Sequence, residues 1–170
     1  MANETRIPYS QEAEMSLLGS VLLDQSLLDG AVELISPEDF FITRNRDIFE
    51  SMLALHEERS SIDHTTLAEE LKSRGKFQEA GGAEYFTDLE FAAPIARNVK
   101  EYCGIIRNKS LTRQLIHSAQ SIIAESSEEN ENAADLIESA EQKIFRLARG
   151  GQNTDFESIQ NVLTATIDRI

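Results

Sequence analysis

The sequence contains little cysteine and no long apolar run, and each of these absences excludes certain kinds of protein. Its one cysteine, Cys103, excludes an internal disulfide and a zinc site built from several cysteines. Its apolar neighbourhood favours a buried, unreactive thiol. No apolar run is long enough to cross a bilayer, and residues 1–6 lack the charged-then-apolar pattern of a signal peptide. We therefore expect a cytoplasmic protein with no membrane contact.

Basic residues are also scarce, at 16 against 30 acidic residues, which gives a net charge of −14. Phosphate binding needs an electropositive surface, so this balance argues against strong direct binding of nucleic acid. One basic strip is an exception, because only Glu101 opposes five positive side chains there: Arg97, Lys100, Arg107, Lys109 and Arg113. We interpret the strip as a solvated helix face paired with acids elsewhere, with a DNA contact as the alternative.

Recognisable catalytic motifs are absent from the sequence. It contains no G-x-x-x-x-G-K-[ST] phosphate loop, no G-x-G-x-x-G motif and no H-E-x-x-H zinc motif. His56, His64 and His117 fall on different predicted helices without a companion at ligand spacing, so we interpret them as structural. The sequence therefore predicts no catalytic residue, no metal site and no cofactor in this chain.

Helical signals run along the whole chain, and no segment shows the sustained period-two alternation of a strand. We therefore predict an all-α fold that begins with a compact globular head over residues 1–95, where most aromatic residues lie. Ser10 should cap the first helix. Residues 36–39 should open a short helix with Pro37 at its first position.

Two further patterns describe the later part of the head. One long helix should turn an apolar face to the core through Ile48, Phe49, Met52, Leu53 and Leu55. Residues 66–69 have the spacing of a capping box, which predicts a helix start there and an end at Gly75. Both patterns place amphipathic helices around one core.

Two long apolar stripes, separated by the polar residues 126–132, predict an antiparallel helical hairpin over residues 96–149. A lone hairpin cannot bury both stripes together with their flanks. Pairing with a second copy of the chain, or docking on the head, would cover them, and the length of the helices favours pairing. The expected self-association residues are Leu111, Leu115, Ile116, Ile122, Ile123, Leu136, Ile137, Ile144 and Leu147.

Residues 150–170 predict an interdomain linker followed by a linker helix that stops without an end signal. After two glycines, Thr154 and Glu157 have capping-box spacing, and no Gly, Asn or Pro ends the apolar stripe that follows. We expect a piece of a longer protein, with a native C-terminal helix folded back on its own domain as the alternative. The stripe would dock elsewhere through Ile159, Val162, Leu163 and Ile167.

A series of short motifs, in order along nearly the whole chain, resembles the N-terminal part of the DnaB-type bacterial replicative DNA helicases. The motifs are residues 8–14 (PYSQEAE), 16–19 (SLLG), 37–41 (PEDFF), 48–49 (IF), 62–63 (ID), 66–67 (TL), 81–86 (GGAEYF), 98–99 (NV) with Tyr102, 107–116 (RNKSLTRQLI) and 141–145 (EQKIF). Each is weak alone, and their shared order carries the resemblance. One departure is Asn45, where the family often has a histidine.

The resemblance implies a role for each part of the chain. In this family the hairpins pair subunits, and three pairs form a collar on the hexamer that receives the helicase-binding domain of primase; a helicase loader is a further candidate partner. The linker helix docks on a neighbouring ATPase domain, which holds ATP and Mg²⁺ and is not in this chain. The resemblance thus implies a non-catalytic scaffolding domain of an ATP-dependent helicase.

Other functions remain open at this point. A free-standing helical adaptor or regulator that binds a replicative helicase is the alternative of a different class. A nucleic-acid-binding module using the basic strip would show a steep salt dependence of binding. An enzyme is disfavoured by the missing motifs.

Overall fold

The architecture is all-α in a computed structural model that describes residues 6–128 and 132–151. Within these residues there is no β-strand, which confirms the predicted fold class. The helices are α1 (Gln11–Leu23), α2 (Leu28–Val32), α3 (Thr43–Glu57), α4 (His64–Ser73), α5 (Gly82–Ala92), α6 (Val99–Ser126) and α7 (Ala133–Gly151). Short 3-10 turns at Gln25–Leu27 and Pro37–Asp39 lie between α1 and α3.

A hydrophobic core holds the first five helices together with the start of α6. The rings of Phe40 and Phe49 pack at its centre with centroids 4.8 Å apart, and both side chains are fully buried. The core residues predicted on α3 all lie in this core or against it: Ile48, Phe49, Met52, Leu53 and Leu55.

Helices α1 and α5 approach each other closely at Gly19. A Cβ atom added there would lie 1.8 Å from the carbonyl oxygen of Leu89, so a larger residue would have to push the helices apart. On the same side of α1, the Ser16 hydroxyl donates to the carbonyl of Ala92 at 3.3 Å. Small residues on α1 therefore set the spacing of the two helices.

Two predicted helix starts are confirmed. The Ser10 hydroxyl accepts the N–H of Ala13 at 3.1 Å and caps α1. Ser36 precedes the turn Pro37–Asp39, where its N–H donates to the Asp39 carboxylate at 2.9 Å. Short polar side chains thus satisfy backbone groups that a helix start leaves without partners.

The capping box predicted at residues 66–69 is wrong, because α4 begins earlier, at His64. The Asp63 carboxylate accepts the N–H groups of Thr65 and Thr66, each at 2.9 Å. In return, Thr66 Oγ1 accepts the N–H of Asp63 at 3.0 Å. A carboxylate caps a helix as well as a hydroxyl does, and Thr66 therefore lies inside the first turn.

The end of α4 follows the prediction that Gly75 terminates it. Gly75 has a left-handed backbone with φ +67°. Its N–H donates to the carbonyl of Lys72 at 3.0 Å, and the next residue, Lys76, donates to the carbonyl of Leu71 at 2.8 Å. These two bonds are the Schellman pattern, in which glycine is favoured because it has no Cβ.

The start of α3 is capped from a distance by Glu14 on α1. The residue at the cap position, Ile42, has no polar side chain, and the Glu14 carboxylate instead accepts the N–H groups of Phe41 (2.7 Å) and Ile42 (3.4 Å). It also accepts the side-chain amide of Asn45 at 2.9 Å, whose Oδ1 accepts the Tyr85 hydroxyl at 2.6 Å. Asn45, where the sequence departs from the family pattern, thus links α1, α3 and α5.

The first part of α6 belongs to the head. Its buried apolar residues are Val99, Cys103 and Ile106. The buried carboxylate of Asp39 accepts from the Arg107 guanidinium (2.9 Å) and from the Ser110 hydroxyl (2.7 Å). The described residues fall into two compact units, and the boundary along the chain lies between Ser110 and Leu111. The first unit is therefore longer than the predicted residues 1–95, because α6 starts inside the core.

Candidate protein-interaction surface

The described part of the second unit contains α6 from Leu111 onward and α7, the two helices of the predicted hairpin. The Glu125 carboxylate, close to the end of α6, accepts from Ser139 Oγ at 3.1 Å and from the Lys143 ammonium on α7. The hydrogen bond from Lys143 lowers the pKa of Glu125, and those from Ser139 and Ser121 act in the same direction. These contacts link α6 to α7, and the antiparallel hairpin stays a prediction.

None of the predicted self-association residues is buried. Nearly half or more of the side chain is exposed in four of them: Leu115 (48%), Ile123 (66%), Ile137 (60%) and Ile144 (43%). The other five are partly buried: Leu111, Ile116, Ile122, Leu136 and Leu147. By contrast, the central leucines and phenylalanines in the core of the first unit have no exposed surface. Apolar side chains are therefore much more exposed in the second unit than in that core.

One face of α7 forms a shallow apolar groove. It is lined by Ile137, Ala140, Glu141, Ile144, Phe145 and Ala148, with the one carboxylate among apolar side chains. Phe145 is 57% exposed and was missing from the predicted surface. Its spacing of eight residues from Ile137, two turns plus one residue, could have placed it on this face. An exposed apolar helix face of this kind is typical of a protein-binding surface.

The predicted linker-docking residues Ile159, Val162, Leu163 and Ile167 lie outside the described residues. Their docking therefore stays a prediction.

Within the part of the chain that the structure describes, no group of three or more His, Cys, Asp or Glu side chains could hold a metal ion. Two of the three histidines meet single carboxylates: His56 Nε2 lies 3.1 Å from Asp29, and His64 Nε2 lies 2.9 Å from Glu90. Burial raises the pKa of the Cys103 thiol to about 12, so this thiol is poorly nucleophilic. Among the same residues, no helix is long and apolar enough to cross a membrane.

The basic strip is partly used inside the protein. Arg107 donates to the buried Asp39, which is the acid pairing expected for a structural strip. Asn98, beside the strip, donates its side-chain amide to Glu101 at 3.1 Å. Arg107 therefore has a structural role that does not involve nucleic acid.

Comparison with known proteins shows the same family across sequence and structure. The family model described as "DnaB-like helicase N terminal domain" matches residues 6–108. The chain is 32% identical over 170 residues to the replicative DNA helicase DnaC of Bacillus subtilis (strain 168), covering all of this chain and 37% of that protein. It is 34% identical over 163 residues to the replicative DNA helicase DnaB of Geobacillus stearothermophilus, covering 96% of this chain and 36% of that protein.

Solved structures agree with the sequence relatives. The N-terminal domain of DnaB helicase from Mycobacterium tuberculosis superposes with a TM-score of 0.77 at 28% identity, covering 82% of this chain and 99% of that one. The N-terminal domain of DnaB helicase from Helicobacter pylori, whose structure is described with its interactions with primase, gives 0.62 at 26% identity, covering 69% and 92%. The chain spans little more than a third of the length of its curated relatives. It belongs to the DnaB-like helicase N-terminal domain family.

Proposed function

We propose that this chain is the non-catalytic scaffolding domain of a replicative DNA helicase, which pairs subunits through its hairpin and offers a docking platform for primase. The observation that carries the pairing is the exposure of apolar side chains along the hairpin. Between Leu111 and Gly150, no described residue is buried. Because burial of apolar surface is the main driving force of association, a second copy of the same hairpin is the occupant that we favour.

Pairing through the hairpin is tested by the mass of the chain in solution across concentration. We expect a dimer, and aspartate at Leu115 and Ile144 together should raise its dissociation constant by at least about 100-fold, since each buried apolar side chain contributes about 1.5–3 kcal/mol. Val32→Asp is a matched control, because Val32 is an apolar residue of the first unit with 39% exposure. Sedimentation that shows a monomer at high micromolar concentration for the unmodified chain would refute the proposal.

Docking of primase is supported by the likeness to the Helicobacter pylori domain, whose structure is described with its interactions with primase. The strongly acidic composition suits a protein-binding collar, because it would not compete for DNA passing through a ring. Titration calorimetry with the helicase-binding domain of primase is the test, and we expect saturable binding. Heat no larger than that of dilution, at concentrations where the chain is dimeric, would contradict this part.

For the whole protein, we propose an ATP-dependent replicative helicase of the cytoplasm; the curated relatives are named as replicative DNA helicases. ATP and Mg²⁺ would bind outside this chain, which has no phosphate-loop motif. We also propose that Ile159, Val162, Leu163 and Ile167 dock on a neighbouring ATPase domain, and that a helicase loader is a further partner. Deletion of residues 152–170 should then impair ring assembly of the whole helicase while leaving the first unit folded.

A further inference from the structure

The end of α3 has the same hydrogen-bond pattern as the end of α4, but with a different residue at the left-handed position. The N–H of Ser60 donates to the carbonyl of Leu55 at 2.9 Å, and that of Arg59 donates to the carbonyl of His56 at 3.0 Å. Arg59 has φ +57°, and among the described residues it is the one non-glycine residue with positive φ. A side chain at this position brings its Cβ close to the backbone, so arginine is strained there.

The chain itself shows the unstrained solution, because α4 ends with Gly75 at the equivalent position. The Arg59 guanidinium does not offset the strain through internal contacts: it makes no hydrogen bond or ion pair with any residue that the structure describes. Strained residues kept against an available alternative are often found at binding sites. The space beside the Arg59 side chain is therefore a candidate binding site.

Arg59 lines a cavity of about 310 Å³ beside the end of α3. Its other polar lining residues are Gln25, Ser26, Asp29, His56 and Ser60. No Phe, Tyr or Trp side chain lines it. Its size suits a small polar group.

Two of the lining side chains, Gln25 and Arg59, have N–H groups that can donate into this space. Gln25 Oε1 accepts the N–H of Ile62 at 2.8 Å, which leaves the amide NH₂ end of Gln25 to donate. Asp29 contacts His56 Nε2 at 3.1 Å, so the Asp29 carboxylate is engaged with the imidazole ring. The guanidinium of Arg59 adds a planar fork of N–H groups that fits two oxygens at once.

We propose that this cavity is a binding site for an oxyanion, a phosphate or carboxylate group held by the Arg59 guanidinium and the Gln25 amide, with the His56 ring beside them. Asp29 acts on the imidazole and positions it. The Schellman bonds already occupy the last carbonyls of α3, which reduces the negative charge that the helix end presents to the ligand. The site lies within the first unit, and the proposal does not depend on the proposed pairing.

The test is a titration of the full chain with inorganic phosphate and, separately, with acetate, followed by NMR at fixed pH and matched ionic strength. We expect saturable shifts of the His56 ring and of the Ser60 amide in at least one titration, and sodium chloride as a control should give none. Saturation with phosphate alone assigns a phosphate ligand, and saturation with acetate alone assigns a carboxylate. The absence of saturation in both titrations would overturn the proposal.

Two variants separate the site from general charge effects. Arg59→Gly relieves the strain and should remain folded, but it should weaken binding by at least about tenfold, because the bidentate contact is lost. Arg59→Lys keeps the charge without the planar fork and should lie between the two. Arg146→Ala, an exposed arginine on α7, is the matched control and should not change binding. Equal affinity of the unmodified chain and Arg59→Gly would refute the assignment.

Discussion

The buried carboxylate of Glu14 gives the sharpest test of how the first unit is held together. Glu14 is 2% exposed and accepts two short hydrogen bonds, from the N–H of Phe41 at 2.7 Å and from the Asn45 amide at 2.9 Å. Hydrogen bonds to a charged group contribute roughly 1.5–3 kcal/mol each, and removal of one partner leaves a buried donor unsatisfied. We therefore expect Glu14→Ala to lower the free energy of unfolding by about 3–5 kcal/mol.

That loss is a large part of the roughly 5–15 kcal/mol that stabilises a typical domain, so the variant should melt at a clearly lower temperature. Glu14→Gln should cost less. If the Asn45 side-chain amide turned by 180°, its oxygen could accept a hydrogen bond from the NH₂ group of the new glutamine. The NH₂ group of Asn45 would then donate to the Tyr85 hydroxyl, which would act as the acceptor. Urea unfolding followed by circular dichroism measures both variants, at several protein concentrations so that self-association does not distort the comparison.

Glu12→Ala is the matched control, because Glu12 is an exposed carboxylate in the same first turn of α1. Its effect through the helix dipole should be about 0.3–1 kcal/mol, and the difference between the two variants isolates the contact with α3. Amide exchange should also show faster opening at Phe41 and Ile42 in Glu14→Ala. The reasoning is refuted if the two alanine variants unfold within about 1 kcal/mol of each other, which is the usual spread for surface changes.

Four further predictions follow from the described geometry. Gly19→Ala should destabilise the first unit by about 3 kcal/mol in urea unfolding, because its Cβ would overlap a carbonyl; an unchanged midpoint would contradict this. Arg59→Gly should raise stability by about 0.5–1 kcal/mol and Gly75→Ala should lower it by about 1 kcal/mol, and effects of the same sign would refute the strain argument. Cys103, with its pKa raised to about 12, should be alkylated by iodoacetamide at pH 8 only as fast as the chain unfolds. The pKa of Glu125 is lowered, so the contacts of its ionised form stabilise the second unit above about pH 4.5 and are lost as the pH falls through the lowered pKa. Glu125→Gln should therefore make the helix content less sensitive to acid.

Local signals in the sequence were enough to place most helices. Ser10 and Pro37 mark helix or turn starts because a cap and a fixed φ act on the nearest residues. The start of α4 was misplaced because Asp63 and Thr66 both belong to a capping box, and the pattern alone does not show which of them is the cap. The error is one of register within a single turn.

Sequence patterns do not predict contacts between residues that lie far apart in the chain. Glu14 lies 27 residues from Phe41, and nothing in its local sequence distinguishes it from the exposed Glu12. The apolar stripes of α6 and α7 are predictable from their spacing, and the structure leaves Leu115 and Ile144 of those stripes exposed.

The continuity of α6 across the two units has a consequence for local opening. Its buried residues end at Ser110, and from Leu111 to Ser126 no side chain is buried. One unbroken ladder of backbone hydrogen bonds should therefore exchange with solvent at very different rates along its length, slowly toward Val99 and quickly toward Ser126. A partner that covers the exposed half would extend the slow-exchanging part by several turns. The length of the protected stretch of α6 would then report directly how much of the hairpin is occupied.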